Sequence, residues 1–449
     1  MPTVGKASAP KFTPPMAFFH EQIILPLSDL LTGQRVYHWL RFLLRSAQLD
    51  DAEMLRFQKE RLHKLVTHAV EHVPYYRDLF AHEGWSANDF RALDDLRRLP
   101  VVNKAIMRSE GIDRFTSDDF PCRQRILVRS SGSTGEPFSY YTTRLAVSVN
   151  TAAKLRTWYE AGYRLGDCYM KIANGARHGG IKKIQDIVNN CIYIPFYSLD
   201  DDVLRTILNA IEKRRPHHIR AYPIPLYLLA QYRNSHSDMY SHRPCRIFTT
   251  GSTLPAAYRA EIECAFGCDV IDSYSCEGTP NTYETPAHDG YRVSREYGII
   301  EVLDDHDQPV SDGIGRVVST DLWNLAHPFI RYDTQDLVEV CNGQIQRIMG
   351  RECESLVDTR GGRYTVHNFV GFFQEDDRPT RQSVVAYQVV RHRDGSITFR
   401  LVVNDQYTPD IERYLVDHWH ERLGVPVNVE LVDAIPLMKN NKRLTIVND

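Results

Sequence analysis

The amino-acid sequence predicts a mixed α/β protein: a large multi-layer N-terminal domain of parallel sheets and helices with a small β-rich subdomain, then a small α+β unit at the carboxyl end. Three observations carry that expectation. Between residues 143 and 274, stretches of helical period alternate with short apolar runs, the order that builds parallel strands joined by crossover helices. From Tyr291 to Val340 the runs GIIEVLDD, GRVVSTDL and PFIRYDTQDLVEV are parted by the turns DDHDQP and SDGIG, which suits a small antiparallel sheet or barrel. Beyond MGRECES come two strand patterns, a helix and a further strand, a compact unit whose boundary falls near Gly350. A chain of 449 residues is also too long for one ordinary core.

Taken in order, residues 1–15 read as a disordered lead, and residues 16–349 as the large domain. That domain opens with a helical cap over 16–72, where Leu55, Leu62, Leu65, Val66 and Ala69 form one stripe. Pro74 is expected to stop the last cap helix, with Tyr75 and Tyr76 behind it. LRRLPVVNK, ending at Lys104, reads as a loop entering another helix. Helices are expected near 143–160, 201–213 and 255–265, and strands at Cys168–Ala173 and His218–Tyr222. The segments RIFTTGSTLP and DVIDSYSCEG each deliver polar residues at the carboxyl end of a strand, where open α/β sheets bind ligands. In the last unit, residues 350–449, strands are expected at Val384–Arg391, Thr398–Val403 and Val427–Leu431, with a helix near 409–422.

Composition excludes several classes. Hydrophobic residues are 43% and charged residues 25% of the chain, the balance of a soluble globular protein. A net charge of -3 with scattered Lys and Arg leaves no footprint for nucleic acid. The run IILPLSDLL from Ile23 is too short to span a bilayer, and no signal-peptide pattern precedes it, so a cytoplasmic location without a membrane partner is expected. Nine cysteines without a CxxC pair speak for reduced thiols. Cys276 and His288 offer two of the four ligands that structural zinc needs, so no metal is assigned to them.

The stretch VRSSGSTGEPFSYY, Val128 to Tyr141, interrupts an apolar and aromatic run with SSGSTGEP. Gly132 and Gly135 permit close backbone approach, and Ser130, Ser131, Ser133 and Thr134 set four hydroxyls beside freed amides, a combination that suits phosphate. It is not a Walker loop, because Gly135 is followed by Glu136 rather than by lysine. Taken alone, a Ser/Gly hexapeptide is more often a polar hairpin turn.

Four signals stand in a fixed order: SSGSTGEP, DSYSCEG, RYDTQD with GRECES behind it, and MKNNKRLTIVND at the carboxyl end. In that order and spacing the chain resembles the adenylate-forming superfamily, and within it the phenylacetate-CoA ligase branch that includes capsule-biosynthesis proteins. The resemblance covers roughly residues 70–449 and extends to HVPYYRDLF and LPVVNK. It implies ATP and Mg2+, a carboxylic acid substrate, an acyl-AMP, and a small mobile C-terminal lid. Chemistry of that kind needs amide and hydroxyl donors, a divalent ion and a cation around an α-phosphate that loses pyrophosphate.

By resemblance, Ser130 to Gly135 wrap the β- and γ-phosphates, with Thr134 nearest the metal, and Glu277 is the magnesium carboxylate. Tyr274-Ser275-Cys276-Glu277 is one residue shorter than the family's usual Tyr-Gly-x-Thr/Ser-Glu. Gly251 and Ser252 match the adenine-wall segment. Asp336 matches the aspartate that accepts from the ribose hydroxyls, a task for an ionised side chain. Arg351 matches an arginine that contacts the nucleotide at the hinge, and the acidic hinge position falls at Cys353 or Glu354. Lys442 aligns with the lid lysine that bridges substrate carboxylate and α-phosphate, with Lys439 competing three residues away.

Tyr222-Pro223 matches a segment at the acyl-pocket wall; Tyr140, Tyr141, Trp158 and Tyr193 are further aromatic candidates, and an aromatic acid is suggested by association. CoA is the branch's commonest acceptor and an amine the alternative; Arg360 and Arg363 lie where a pantetheine tunnel is expected. A reading of a different class is a non-catalytic nucleotide-binding protein of the same fold. The oligomeric state stays open, a homodimer included.

Overall fold

The computed structural model describes residues 18–129, 138–174, 186–187, 189–196, 200–351, 354–360, 362–374, 379–435 and 444–449. A hairpin of β1 (Ile126–Arg129) and β2 (Ser139–Thr142) precedes the central sheet. That sheet holds β3 (Tyr169–Asn174), β4 (Cys191–Phe196), β5 (His218–Ala221), β6 (Arg246–Thr250), β7 (Val270–Tyr274), β8 (Thr282–Glu284) and β9 (Tyr291–Val293). Their spatial order is β4-β3-β5-β6-β7-β8-β9. The first five neighbours run parallel, and β8 and β9 are antiparallel additions at the edge.

Both sheet faces are covered, as parallel strands require. Met170, Ile219, Ile247 and Val270 point to the helices Asp201–Arg214, Pro223–Ser235 and Ala256–Phe266. Phe248 and Ile271 point the other way, onto helices Val36–Ser46 and Arg144–Glu160. The expected elements are present with ends shifted by about one residue; β4 is a strand that periodicity alone did not predict. Its run CIYIPF is short and carries a proline, which demotes a strand in a sequence reading.

The cap differs from expectation in two places. Its long helix, Asp51–His72, starts at a capping box in which Asp50 and Glu53 each bond the other's backbone. Its buried stripe runs through Met54, Gln58, Leu62, Leu65, Val66 and Ala69, while Leu55 faces solvent; Gln58 can be buried because its amide bonds the Arg295 carbonyl. Pro74 does not merely stop a helix. It opens the next, Pro74–Glu83, at a position where no amide donor is needed.

A buried ion pair ties cap, helix and sheet edge together. Arg156 Nη1 lies 2.6 Å from Glu296 Oε1, with side chains 4% and 3% exposed. Ser46 donates to the same carboxylate oxygen at 2.6 Å, and Arg156 Nη2 donates to Ser294 Oγ at 3.0 Å. Removing one partner strands the other charge. Arg156→Met is expected to lower unfolding free energy by about 3–5 kcal/mol, measured as a shift in the urea midpoint at constant slope.

The β-rich stretch is the antiparallel sheet β10 (Gly298–Leu303), β11 (Gly313–Asp321), β12 (Tyr332–Cys341) and β13 (Gln344–Arg351). An irregularity between Leu337 and Val338 sets Asp336 opposite Arg351. A two-stranded ribbon follows, β14 (Leu356–Val357) with β15 (Arg363–Tyr364). The last sheet, ordered β18-β17-β16-β19, is built from β16 (Val384–Arg391), β17 (Ile397–Val403), β18 (Val427–Leu431) and β19 (Ile446–Asn448). Its core joins Phe369, Phe399, Leu415 and Trp419, all drawn from residues beyond Arg351. No helix among the described residues is long and apolar enough to cross a membrane.

Candidate active site

The carboxyl ends of β6 and β7 open onto a cavity of about 240 Å³, lined among others by Tyr222, Ser252, Tyr274, Glu277, Asp336 and Arg351. Glu354, Val366, Leu444 and Thr445 close it from the carboxyl-terminal side. Two glycines make the approach possible. Gly251 has φ +80°, and a Cβ there would stand 2.6 Å from the Tyr222 ring; Gly278 has φ +74°, and its Cβ would stand 2.6 Å from the Phe329 ring. The chain can therefore turn sharply after each strand with an aromatic ring against the turn.

Asp336 is the polar centre. Its carboxylate accepts from Tyr274 Oη at 2.7 Å, and Arg351 Nε lies 3.6 Å away. Burial pushes its pKa up, and Arg351 and the Tyr274 hydrogen bond oppose that shift by favouring the ionised form. On the ribose-binding role that the resemblance implies, Asp336→Ala removes an acceptor needed before and during chemistry. The expected result is a rise in KM for ATP of about ten- to a hundredfold with a smaller change in kcat, the span of a hydrogen bond to a charged group.

Glu277 lies 3.7 Å from Lys104 Nζ, each side chain about one-fifth exposed (21% and 24%). Lys104 is the first residue of helix Lys104–Glu110, capped by Asn103, whose side chain accepts from Ile106 N. In the sequence Lys104 reads as the end of a loop entering a helix; the cue is its place at the end of LPVVNK, but nothing local ties it to a carboxylate 173 residues on. Cys276 sits between these acids. Burial first, then Asp336 and Glu277, push its thiol far up, so it is a neutral packing thiol rather than a nucleophile.

The structure thus brings Tyr222, Gly251, Ser252, Tyr274, Glu277, Asp336, Arg351 and Glu354 to one cavity. Pro223 starts a helix behind Tyr222 and is buried. Tyr140 packs in an aromatic cluster, 5.1 Å from Phe329 and 6.0 Å from Phe138 between ring centroids. Arg360 and Arg363 lie on the surface side, Arg363 3.5 Å from Asp305. Ser130, Ser131, Gly132, Ser133, Thr134, Gly135, Cys353, Lys439 and Lys442 lie outside the described residues. The Ser/Gly stretch is nonetheless flanked by the β1–β2 ladder, in which Arg129 faces Ser139.

No family model matches the chain. Among curated proteins it is similar to CapK of Staphylococcus aureus, 22% identical over 436 residues and 92% of each chain. It is 27% identical to the phenylacetate-coenzyme A ligase of Escherichia coli (strain K12), over 70% of this chain and 74% of the relative. Among solved structures it overlays 2-hydroxyisobutyryl-CoA ligase in the postadenylation state with 2-HIB-AMP at a TM-score of 0.69 and 19% identity, covering 89% of this chain and 90% of the other. Against the same ligase in the thioesterification state the TM-score is 0.55. The mixed α/β fold is that of these ligases. By its sequence relations together with that fold, the chain is a member of the adenylate-forming superfamily, similar to the phenylacetate-CoA ligases.

Proposed function

We propose that the chain is an ATP-dependent, AMP-forming carboxylate ligase that makes an acyl-adenylate and passes the acyl group to CoA. The observation that carries this reading is the convergence of Tyr274, Glu277, Asp336 and Arg351 on one cavity closed by residues from the carboxyl-terminal unit. The relatives named phenylacetate-coenzyme A ligase support CoA as the acceptor.

In the reaction, a carboxylate oxygen of the acid attacks the α-phosphorus, the bond to the bridging oxygen breaks, and pyrophosphate leaves. Asp336 holds the ribose hydroxyls, and the backbone at Gly251 and Ser252 flanks the adenine. By the roles the resemblance implies, Ser130 to Gly135 bind the leaving phosphates and Lys442 offsets charge that develops on the α-phosphate and the attacking carboxylate, and Lys104 adds a cation beside Glu277. Glu277, a carboxylate that lines the cavity beside Lys104, fits Mg2+, which takes one or two carboxylates and otherwise phosphate and water oxygens. That ion, when bound, neutralises phosphate charge. In the second half-reaction the CoA sulfur attacks the acyl carbonyl, AMP leaves with the electron pair, and the thiol proton passes to water.

Exchange of labelled pyrophosphate into ATP tests the first half-reaction, because it needs reversible adenylation. Acid-dependent exchange is expected. ATP binding without exchange across a broad panel of acids would favour a nucleotide-binding protein instead. Product analysis with CoA and with amines then identifies the acceptor.

The two half-reactions need different company at the same carbonyl, so the unit beyond Arg351 is expected to rotate about Cys353 and Glu354. Proline at Cys353 fixes φ there and restricts the residue before it. The expected outcome is exchange within about threefold of wild type and acyl transfer slowed about tenfold or more, a separation that single-turnover kinetics resolves.

A further inference from the structure

A second cavity, about 60 Å³, lies on the other side of the β6 and β7 strand ends. Across the parallel strands, Tyr193, Lys171, Arg220 and Phe248 stand side by side in register. They share the sheet face covered by helix Arg144–Glu160, since Phe248 packs there. From that helix Trp158 stacks on Phe248, ring centroids 4.8 Å apart, and the Arg220 guanidinium carbon lies 5.5 Å from the Trp158 ring centre. Lys154, one helical turn before Trp158, opens onto the same hollow. Ser273 and Ser275 line this hollow and the nucleotide cavity alike, so the two spaces meet at the end of β7.

The described lining of the hollow holds two cations, Lys154 and Arg220, and no carboxylate. Among the described residues neither Lys154 nor Arg220 forms an ion pair with a carboxylate. The Lys154 side chain reaches open space, yet the surrounding protein is deep enough that burial, with Arg220 and Lys171 adding repulsion, lowers its pKa to about 8. Two cations held together around a hollow are a cost to the free protein that an anion relieves. Size adds a limit: a protein cavity that holds benzene has about 150 Å³, so a hollow of about 60 Å³ takes a carboxylate-sized group rather than a phenyl ring.

Resting on the ligase reading above, we propose that the acid adenylated by this chain is a short one with a second anionic group at its far end, held by Lys154 and Arg220 beside Trp158. The reacting carboxylate then points past Ser273 and Ser275 toward the nucleotide. Aromatic lining, which by itself suggests an aromatic acid, here supplies the platform on which Arg220 lies.

The test is pyrophosphate exchange by the full chain with matched acids: succinate against succinamate, glutarate against glutaramate, 3-phosphonopropionate, and phenylacetate. The diacids are expected to exceed their half-amides and phenylacetate at least tenfold in kcat/KM, and the phosphonate distinguishes a carboxylate from a phosphoryl terminus. Lys154→Met is expected to shrink the diacid preference at least tenfold, through KM for the diacid more than through kcat. Lys154→Arg is expected to keep the preference, and melting curves check that both variants fold. Half-amides or phenylacetate matching the diacids in the wild type would overturn the inference and leave the ligase reading standing, as would an unchanged preference in Lys154→Met. Exchange with no acid at all would end the ligase reading, and this inference with it.

Discussion

In a Lys442→Ala protein, acid-dependent pyrophosphate exchange is expected to fall about a hundredfold or more, while the dissociation constant for ATP changes little. The reason lies in when the charge matters. In the proposed reaction the lysine cation offsets negative charge as it accumulates between the attacking carboxylate and the α-phosphate, so its loss would be felt in the transition state more than in the ground state. A single transition-state donor is worth about a hundred- to a thousandfold in rate. Lys439→Ala serves as the comparison, since the two lysines lie three residues apart. Loss of exchange in Lys439→Ala but not in Lys442→Ala would reassign the role; loss of ATP affinity in Lys442→Ala would make it a ground-state contact.

Glu277→Gln is expected to cost a similar amount, about a hundredfold or more in exchange, by a different route. The change keeps volume but removes the charge that faces Lys104 across 3.7 Å, so the lysine loses its carboxylate partner. The Mg2+ concentration giving half-maximal exchange should rise, because a hard cation loses its carboxylate while the phosphate oxygens remain. A variant with reduced rate but an unchanged Mg2+ dependence would place Glu277 outside the ion's reach and leave it as the partner of Lys104.

The parts of the fold legible in the sequence were those with strong periodicity or strong punctuation. Helices such as Arg144–Glu160 and Pro409–Leu423 show their caps, Thr143 and Thr408, and the turns around Asp304 and Asp312 both separate β10 from β11. β4 escaped because a proline sits in it, and the cap stripe was misread because the polar Gln58 is buried in it, its amide bonded to the Arg295 carbonyl 237 residues on, while the apolar Leu55 is exposed. Tertiary hydrogen bonding overrode the apolar pattern there.

The site followed the same logic. Tyr274, Glu277, Asp336 and Arg351 were legible as motif residues, because the chemistry of a nucleotide needs their residue types. Lys104 and Lys154 were not, since each acquires its meaning only from residues far along the chain: Glu277 for the first, Arg220 and Trp158 for the second. A lysine in a loop or on a helix carries no local sign of the cavity it faces.

The most direct measurement of the central claim follows oxygen. The acid giving the fastest exchange is labelled with 18O in its reacting carboxylate and turned over with ATP and CoA, and the products are weighed by mass spectrometry. The account predicts one 18O atom in the phosphate of AMP per turnover, beside unlabelled pyrophosphate and an acyl thioester, because the carboxylate oxygen that attacks the α-phosphorus stays with it when the sulfur displaces AMP. Label in orthophosphate with ADP as the nucleotide product, or a thioester formed with no label in AMP, would contradict it.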